Sequence, residues 1–123
     1  MKTQNHSVIL FQKSQINYKS MDLKNGIGML APVVESPLSD SMGAGFITLE
    51  VAGFFEWQVL YDEILYVVSG TLIITQDNKV QKGEKGDIFF LKNGAKITYG
   101  TESSTEFFYS IYPANWREIH GLS

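Results

Sequence analysis

The chain contains no cysteine. That excludes a disulfide framework, thiolate metal sites and a thiol nucleophile together, and it fits a reducing compartment. Histidine is nearly absent as well, with only His6 and His120, one near each end. Arginine occurs once, as Arg117, and the lysines are scattered through a chain of net charge -3. A nucleic-acid binder needs a basic face to neutralise phosphates, and this sequence has none. No apolar run approaches the roughly 18 residues of a membrane span. Val8 to Phe11 is too short for the core of a signal peptide. The expectation is a cytoplasmic protein that engages neither nucleic acid nor membrane.

Sustained helical periodicity is also missing, since no stretch keeps a 3.6-residue apolar repeat beyond about two turns. What the sequence has instead is short runs rich in β-branched and aromatic residues. Ala44 to Val51, Glu63 to Val68, Thr71 to Thr75, Asp87 to Leu91, Lys96 to Tyr99 and Thr105 to Tyr112 all read as strands. Between them lie turn compositions such as Ser69-Gly70, Gln76-Asp77-Asn78, Lys82 to Gly86 and Lys92-Asn93-Gly94. Many short strands at even spacing predict an all-β sandwich, jelly roll or small barrel. The 123 residues, 44% of them hydrophobic, suit one domain with a real core. Residues 1–43 read as edge strands (Val8 to Phe11, Ile16 to Met21, Ile27 to Val34) and a polar loop, with Pro32 and Pro37 breaking the last strand. Residues 44–123 read as the barrel core.

Three strands are apolar on both faces: Ile64 to Val68, Ile88 to Leu91 and Phe107 to Tyr112. A half-solvated strand alternates instead. Either a second sheet or a second copy of the chain covers the outer face, and a homodimer packed through Ile64, Tyr66 and Val68 is the expected assembly.

Two spacings resemble the signatures of the cupin barrels. Glu63 is followed by Gly70 after six residues, and Gly86 by Lys92-Asn93-Gly94 after five. The first signature normally opens with a His-x-His pair, which here falls on Trp57 and Val59 or on Glu56 and Gln58. The late histidine of the second falls on Ile97. Transition metals in such barrels need imidazole nitrogens held at about 2 Å, so no transition-metal site is expected. Met42-Gly43-Ala44-Gly45, Tyr61-Asp62-Glu63 and Pro113-Ala114-Asn115-Trp116 in this order resemble the ethanolamine-utilisation protein Q family, a cupin branch without the metal histidines. The resemblance implies a cupin-type double-stranded β-helix in one domain. It also implies acetate kinase-type activity, interconverting acetyl phosphate and acetate with adenine nucleotide (ATP) and Mg2+, and microcompartment proteins as partners. The alternative is a non-catalytic cupin that binds a small organic ligand or a microcompartment partner.

Candidate catalytic residues are Glu63, Glu50 and Asp62. Two carboxylates in an aromatic-lined barrel would shift each other's pKa, serving proton transfer or holding magnesium through oxygen. Glu63 and Glu50 are expected to face one cavity. Trp57, Tyr61, Tyr99 and Tyr109 are candidate ligand contacts, and Tyr112 and Trp116 are further aromatic candidates. The plainer alternatives are a surface acid for Glu50, a turn residue for Asp62 and core filling for the aromatics.

Overall fold

The structure is a computed structural model that describes residues 7–122; His6 lies outside the described residues. A single helical turn at Lys13–Gln15 precedes eight strands, β1 (Lys19–Met21), β2 (Asn25–Val34), β3 (Gly43–Gln58), β4 (Asp62–Gln76), β5 (Lys79–Glu84), β6 (Ile88–Leu91), β7 (Lys96–Gly100) and β8 (Thr105–Tyr112). One short helix, α1 (Trp116–Ile119), follows.

Two long strands close the barrel. The first half of β3 pairs with β8 and its second half with β7. β4 does the same, pairing with β8 through Asp62 to Gly70 and with β7 through Ile73 to Thr75. The ring β3–β8–β4–β7 is therefore closed, and every pairing is antiparallel. β2 and β1 extend the sheet beyond β3, while β5 and β6 flank β4. This is the all-β cupin-type jelly-roll barrel.

Bulges decide which residues face inward. In β4, Val67 opposes Phe107 while Ser69 opposes Glu106, so one extra residue sits in β4. Such a bulge bends the strand and switches the parity of its side chains. Glu63, Leu65 and Val67 point inward before it, Leu72 and Ile74 after it. Gly70 follows at φ 69, where a Cβ would lie 2.1 Å from the Ser104 carbonyl oxygen. The signature glycine is required there by sterics. The fully buried Leu49, Val59, Leu65, Val67, Leu72 and Phe107 form the core, each such side chain contributing about 1.5–3 kcal/mol of burial.

Some elements differ from the sequence expectation. β3 continues to Gln58 instead of ending at Val51. Val51 and Ala52 adopt left-handed φ of 56 and 53 in an exposed bulge, after which pairing resumes with β7. β5 occupies part of the stretch read as a turn; Gly83 is its one buried position, so its sequence shows no apolar alternation. β2 runs through Pro32, which pairs with Gly45. It can do so because β1 covers β2 only at Gly28 to Leu30, leaving no ladder donor missing on the outer side. Val8 to Phe11 forms no strand and lies exposed.

Outside the barrel, Phe90, Ile64 and Ser110 align across β6, β4 and β8, and Ile88, Tyr66, Phe108 and Phe46 align one row over, continuing onto β3. Ile64, Tyr66, Ile88 and Phe90 are exposed.

Candidate functional site

The barrel encloses a cavity of about 530 Å³ between the inner faces of its strands. β3 contributes Ile47, Phe55 and Trp57, β4 contributes Glu63, β7 contributes Tyr99, and β8 contributes Tyr109 and Ile111. The mouth is framed by Glu35 and Ser36 after β2 and by Trp116, Arg117 and Glu118 of α1.

Glu63 is the polar centre. It is 4% exposed, and the Tyr99 phenol donates to its Oε1 at 2.5 Å. Its Oε2 makes no hydrogen bond among the described residues and is not sealed in protein, so it faces the cavity that Glu63 lines. The surface pair Lys82–Glu102 is the one ion pair among the described residues, so no protein cation neutralises Glu63. Burial pushes its pKa up to about 7, against a smaller lowering by the Tyr99 hydrogen bond. This is the desolvation case, in which the charged form is disfavoured.

Three phenols surround this carboxyl. Tyr61 accepts from Trp57 Nε1 at 2.8 Å and packs against Trp116 with centroids 5.2 Å apart. Burial, then the Glu63 charge, raises the Tyr61 and Tyr99 pKa values, while burial, then Glu35 and Glu63, raises that of Tyr109. All three stay neutral and protonated at pH 7. Because Tyr61 accepts from Trp57, its own proton remains free to donate.

Tyr109 owes its position to a glycine. It pairs with Gly45 across β3 and β8, and a Cβ on Gly45 would lie 2.5 Å from the Tyr109 hydroxyl oxygen. Gly43, two residues earlier, makes room for Ile111, whose Cγ1 would stand 2.8 Å from a Cβ there. The Met42-Gly43-Ala44-Gly45 block is thus an inner face kept bare for two cavity residues.

The cavity therefore unites Glu63, Tyr61, Tyr99, Tyr109 and Trp57. Glu50 and Asp62 stay outside it. On β3, Ile47 and Leu49 are the inward residues, so Glu50 points out, exposed and paired with Ile27 of β2. Asp62 precedes inward Glu63 and takes the opposite face. Its Oδ1 accepts from the Asn93 backbone N–H at 2.9 Å, pinning the Lys92–Gly94 turn. The expectation that Glu63 and Glu50 share one cavity is thus corrected. Tyr112 is 61% exposed and lies outside as well. Sequence reasoning did not single out Phe55, Glu35 or Arg117. Phe55 stacks on Tyr99 with centroids 4.6 Å apart, and the Arg117 guanidinium sits 4.5 Å over the Trp116 ring. The alternating glycines at the start of β3, Gly43 and Gly45, were the available signal for bulky partners across the strand.

The metal of other cupins does not fit these residues. Val59 and Ile97 are buried apolar residues, Glu56 and Gln58 are exposed, and the Trp57 indole is bonded to Tyr61. Among the described residues no three His, Asp or Glu side chains converge. His120 donates from Nε2 to the Leu60 carbonyl at 3.3 Å, far from Glu63 in role. Among the described residues no helix is long and apolar enough to cross a membrane.

Comparison with known proteins agrees with this architecture. The family described as "Ethanolamine utilisation protein EutQ" matches residues 2–118. "Acetate kinase EutQ" of Escherichia coli K12 is 38% identical over 90 residues, covering 73% of this chain and 38% of that protein. The same-named protein of Clostridioides difficile is 35% identical over 78 residues, covering 63% of this chain and 49% of that one. The chain thus spans less than half the length of these curated relatives. The crystal structure of an ethanolamine utilization protein q from Salmonella typhimurium LT2 superposes with TM-score 0.82 at 30% identity, covering 93% of each chain. The cupin domain of Schizosaccharomyces pombe Cnp3 matches in fold alone, with TM-score 0.70 at 12% identity over 94% of this chain and 82% of that one. A family match over nearly the whole chain, on a barrel whose metal positions hold no histidine, makes this chain a member of the EutQ family of ethanolamine utilisation proteins, within the cupins.

Proposed function

We propose that the cavity around Glu63 is the functional centre of this cupin and takes a small organic molecule without a protein-bound transition metal. One observation carries this reading: a carboxyl buried in an aromatic cavity, with one oxygen open and no cation beside it. Burying such a group costs several kcal/mol unless it is paired or neutralised, so a partner from outside the chain completes it. A carboxyl poised near pH 7 holds or gives up a proton readily and suits general acid–base work. Tyr61 and Tyr109 supply fixed hydroxyls to orient the ligand, and the apolar wall of Phe55, Ile47 and Ile111 excludes water. Calorimetry of small-molecule panels against wild type, Glu63→Gln and Tyr61→Phe tests it. Binding that both substitutions weaken supports the reading, and binding indifferent to both sinks it.

A second reading, acetate kinase-type phosphoryl transfer, is favoured by the name of relatives 38% identical to this chain. In that reaction the phosphoryl group leaves the acyl oxygen of acetyl phosphate, releasing acetate, and joins the terminal phosphate of ADP to give ATP. Phosphoryl transfer relies on positioning and charge neutralisation, and Arg117 is the cation lining the cavity among the described residues. Glu50 and Asp62 stand outside the cavity, so no carboxylate cluster holds magnesium, and the ion would enter with the nucleotide. Mg2+-dependent ATP formation by the purified chain, lost in Arg117→Ala, supports this reading. A chain without turnover ends it.

We also propose that a second copy of the chain covers the exposed Ile64, Tyr66, Ile88 and Phe90 face, since monomers rarely leave so large an apolar patch open. Residence in the cytoplasm, with or without microcompartment partners, is the matching proposal for location.

A further inference from the structure

Beyond the reading of the cavity as a ligand site, on which this rests, the geometry points to the charge of the ligand: a small organic ammonium, held by the Glu63 carboxylate within a box of aromatic rings. Three features converge. First, Glu63 Oε2 faces the cavity without a protein donor, while Oε1 already has Tyr99. In the ionised form, the missing partner of that oxygen donates a hydrogen bond or carries positive charge. Second, aromatic side chains supply much of the surrounding wall. Phe55, Trp57, Tyr61, Tyr99, Tyr109 and Trp116 all line the cavity, and aromatic faces attract desolvated cations. The chain's own cation already uses this wall, with Arg117 stacked 4.5 Å over Trp116. Third, the charged residues lining the cavity are Glu35, Glu63 and Glu118 against the single Arg117. An anion entering this space meets an unneutralised carboxylate; a cation meets its counter-ion.

The same geometry couples binding to a proton. Glu63 is half protonated near pH 7 because of its burial, and an ammonium pairs only with the ionised form. The groups facing Glu63 are Tyr61, Tyr99 and Tyr109, all held neutral well above this range. Arg117 acts on Tyr61 and Glu35 on Tyr109. Glu63 is therefore the group whose titration gates the site. Affinity for an ammonium rises about tenfold per pH unit below pH 7 and flattens above it.

Isothermal titration of the full chain with tetramethylammonium and choline, the neutral carbon isostere of choline, and acetate tests this. The expected result is that the ammonium probes bind at least about tenfold more tightly than the neutral isostere, that acetate binds weakest, and that Glu63→Gln removes the preference and the pH dependence. A neutral isostere or acetate that binds as tightly as the ammonium probes overturns the ammonium assignment and leaves the cavity standing as a ligand site. Failure of all four probes to bind or to shift the Tyr61 and Tyr109 NMR signals overturns both. The wild-type comparison of choline with its isostere decides the matter even where Glu63→Gln does not fold.

Discussion

Tyr99 donates its phenolic proton to Glu63 Oε1 at 2.5 Å, joining two residues 36 positions apart in a buried hydrogen bond. Tyr99 stands on β7 and Glu63 on β4, neighbouring strands of the closed barrel, so the bond ties them together on its inner side. It opposes the desolvation that pushes the Glu63 carboxyl up to about 7. Deleting the donor leaves desolvation alone. Tyr99→Phe is expected to move the Glu63 midpoint further above 7, read from the side-chain carboxyl signal in an isotope-edited NMR pH titration. A midpoint that falls would contradict the role assigned to Tyr99.

Glu63 also makes stability depend on pH. Its folded pKa of about 7 lies above the ordinary carboxyl value of 4.5, so the folded state holds the proton more tightly than the unfolded chain. The associated stability is fully present below about pH 4.5 and is lost as pH rises through 7, amounting to about 3 kcal/mol. Urea unfolding at steps across this window should show that decline in wild type and its absence in Glu63→Gln. Equal pH dependence in the two proteins would falsify the assignment.

Gly45 keeps space for Tyr109. In Gly45→Ala the new methyl meets both the Tyr109 hydroxyl and the Ala31 carbonyl oxygen, each 2.5 Å from the ideal Cβ position. Overpacking of this kind costs about 1–3 kcal/mol, and the phenol must leave its place in the cavity. Thermal unfolding and a tyrosine NMR spectrum check the two effects together; an unchanged Tyr109 environment counts against the packing argument.

Val51 holds a left-handed φ of 56, a strained conformation for a β-branched residue. It is 68% exposed and loses little packing on removal. Val51→Gly relieves the strain, less the entropy that glycine adds to the unfolded chain, for a net gain of about 1 kcal/mol. A lower Tm in the variant rejects the strain.

The outer face of β4 and β6 presents Ile64, Tyr66, Ile88 and Phe90 to solvent. Light scattering is expected to give twice the chain mass of 13.8 kDa, and Ile64→Lys with Phe90→Glu to return it to a monomer while the fold persists. Wild type running as a monomer at micromolar concentration removes the dimer.

The sequence by itself determined the class of fold and the central acid. Enrichment in β-branched and aromatic residues is a local property of a strand, and the Glu63-to-Gly70 spacing, by its resemblance to the cupin signature, implied an inward carboxylate; the bulge that Gly70 serves appeared only in the fold. The Lys79–Glu84 strand was not legible, because an edge strand with one buried residue has no apolar face to alternate. Neither was the face of Glu50, nor the closing of the mouth by Glu35 and Arg117. Alternation with a period of two separates the faces of β3 but does not say which face is inward. That was decided when β8, β4 and β7 closed the ring on the side of Ile47 and Leu49, leaving Glu50 in water and Glu63 alone among the rings.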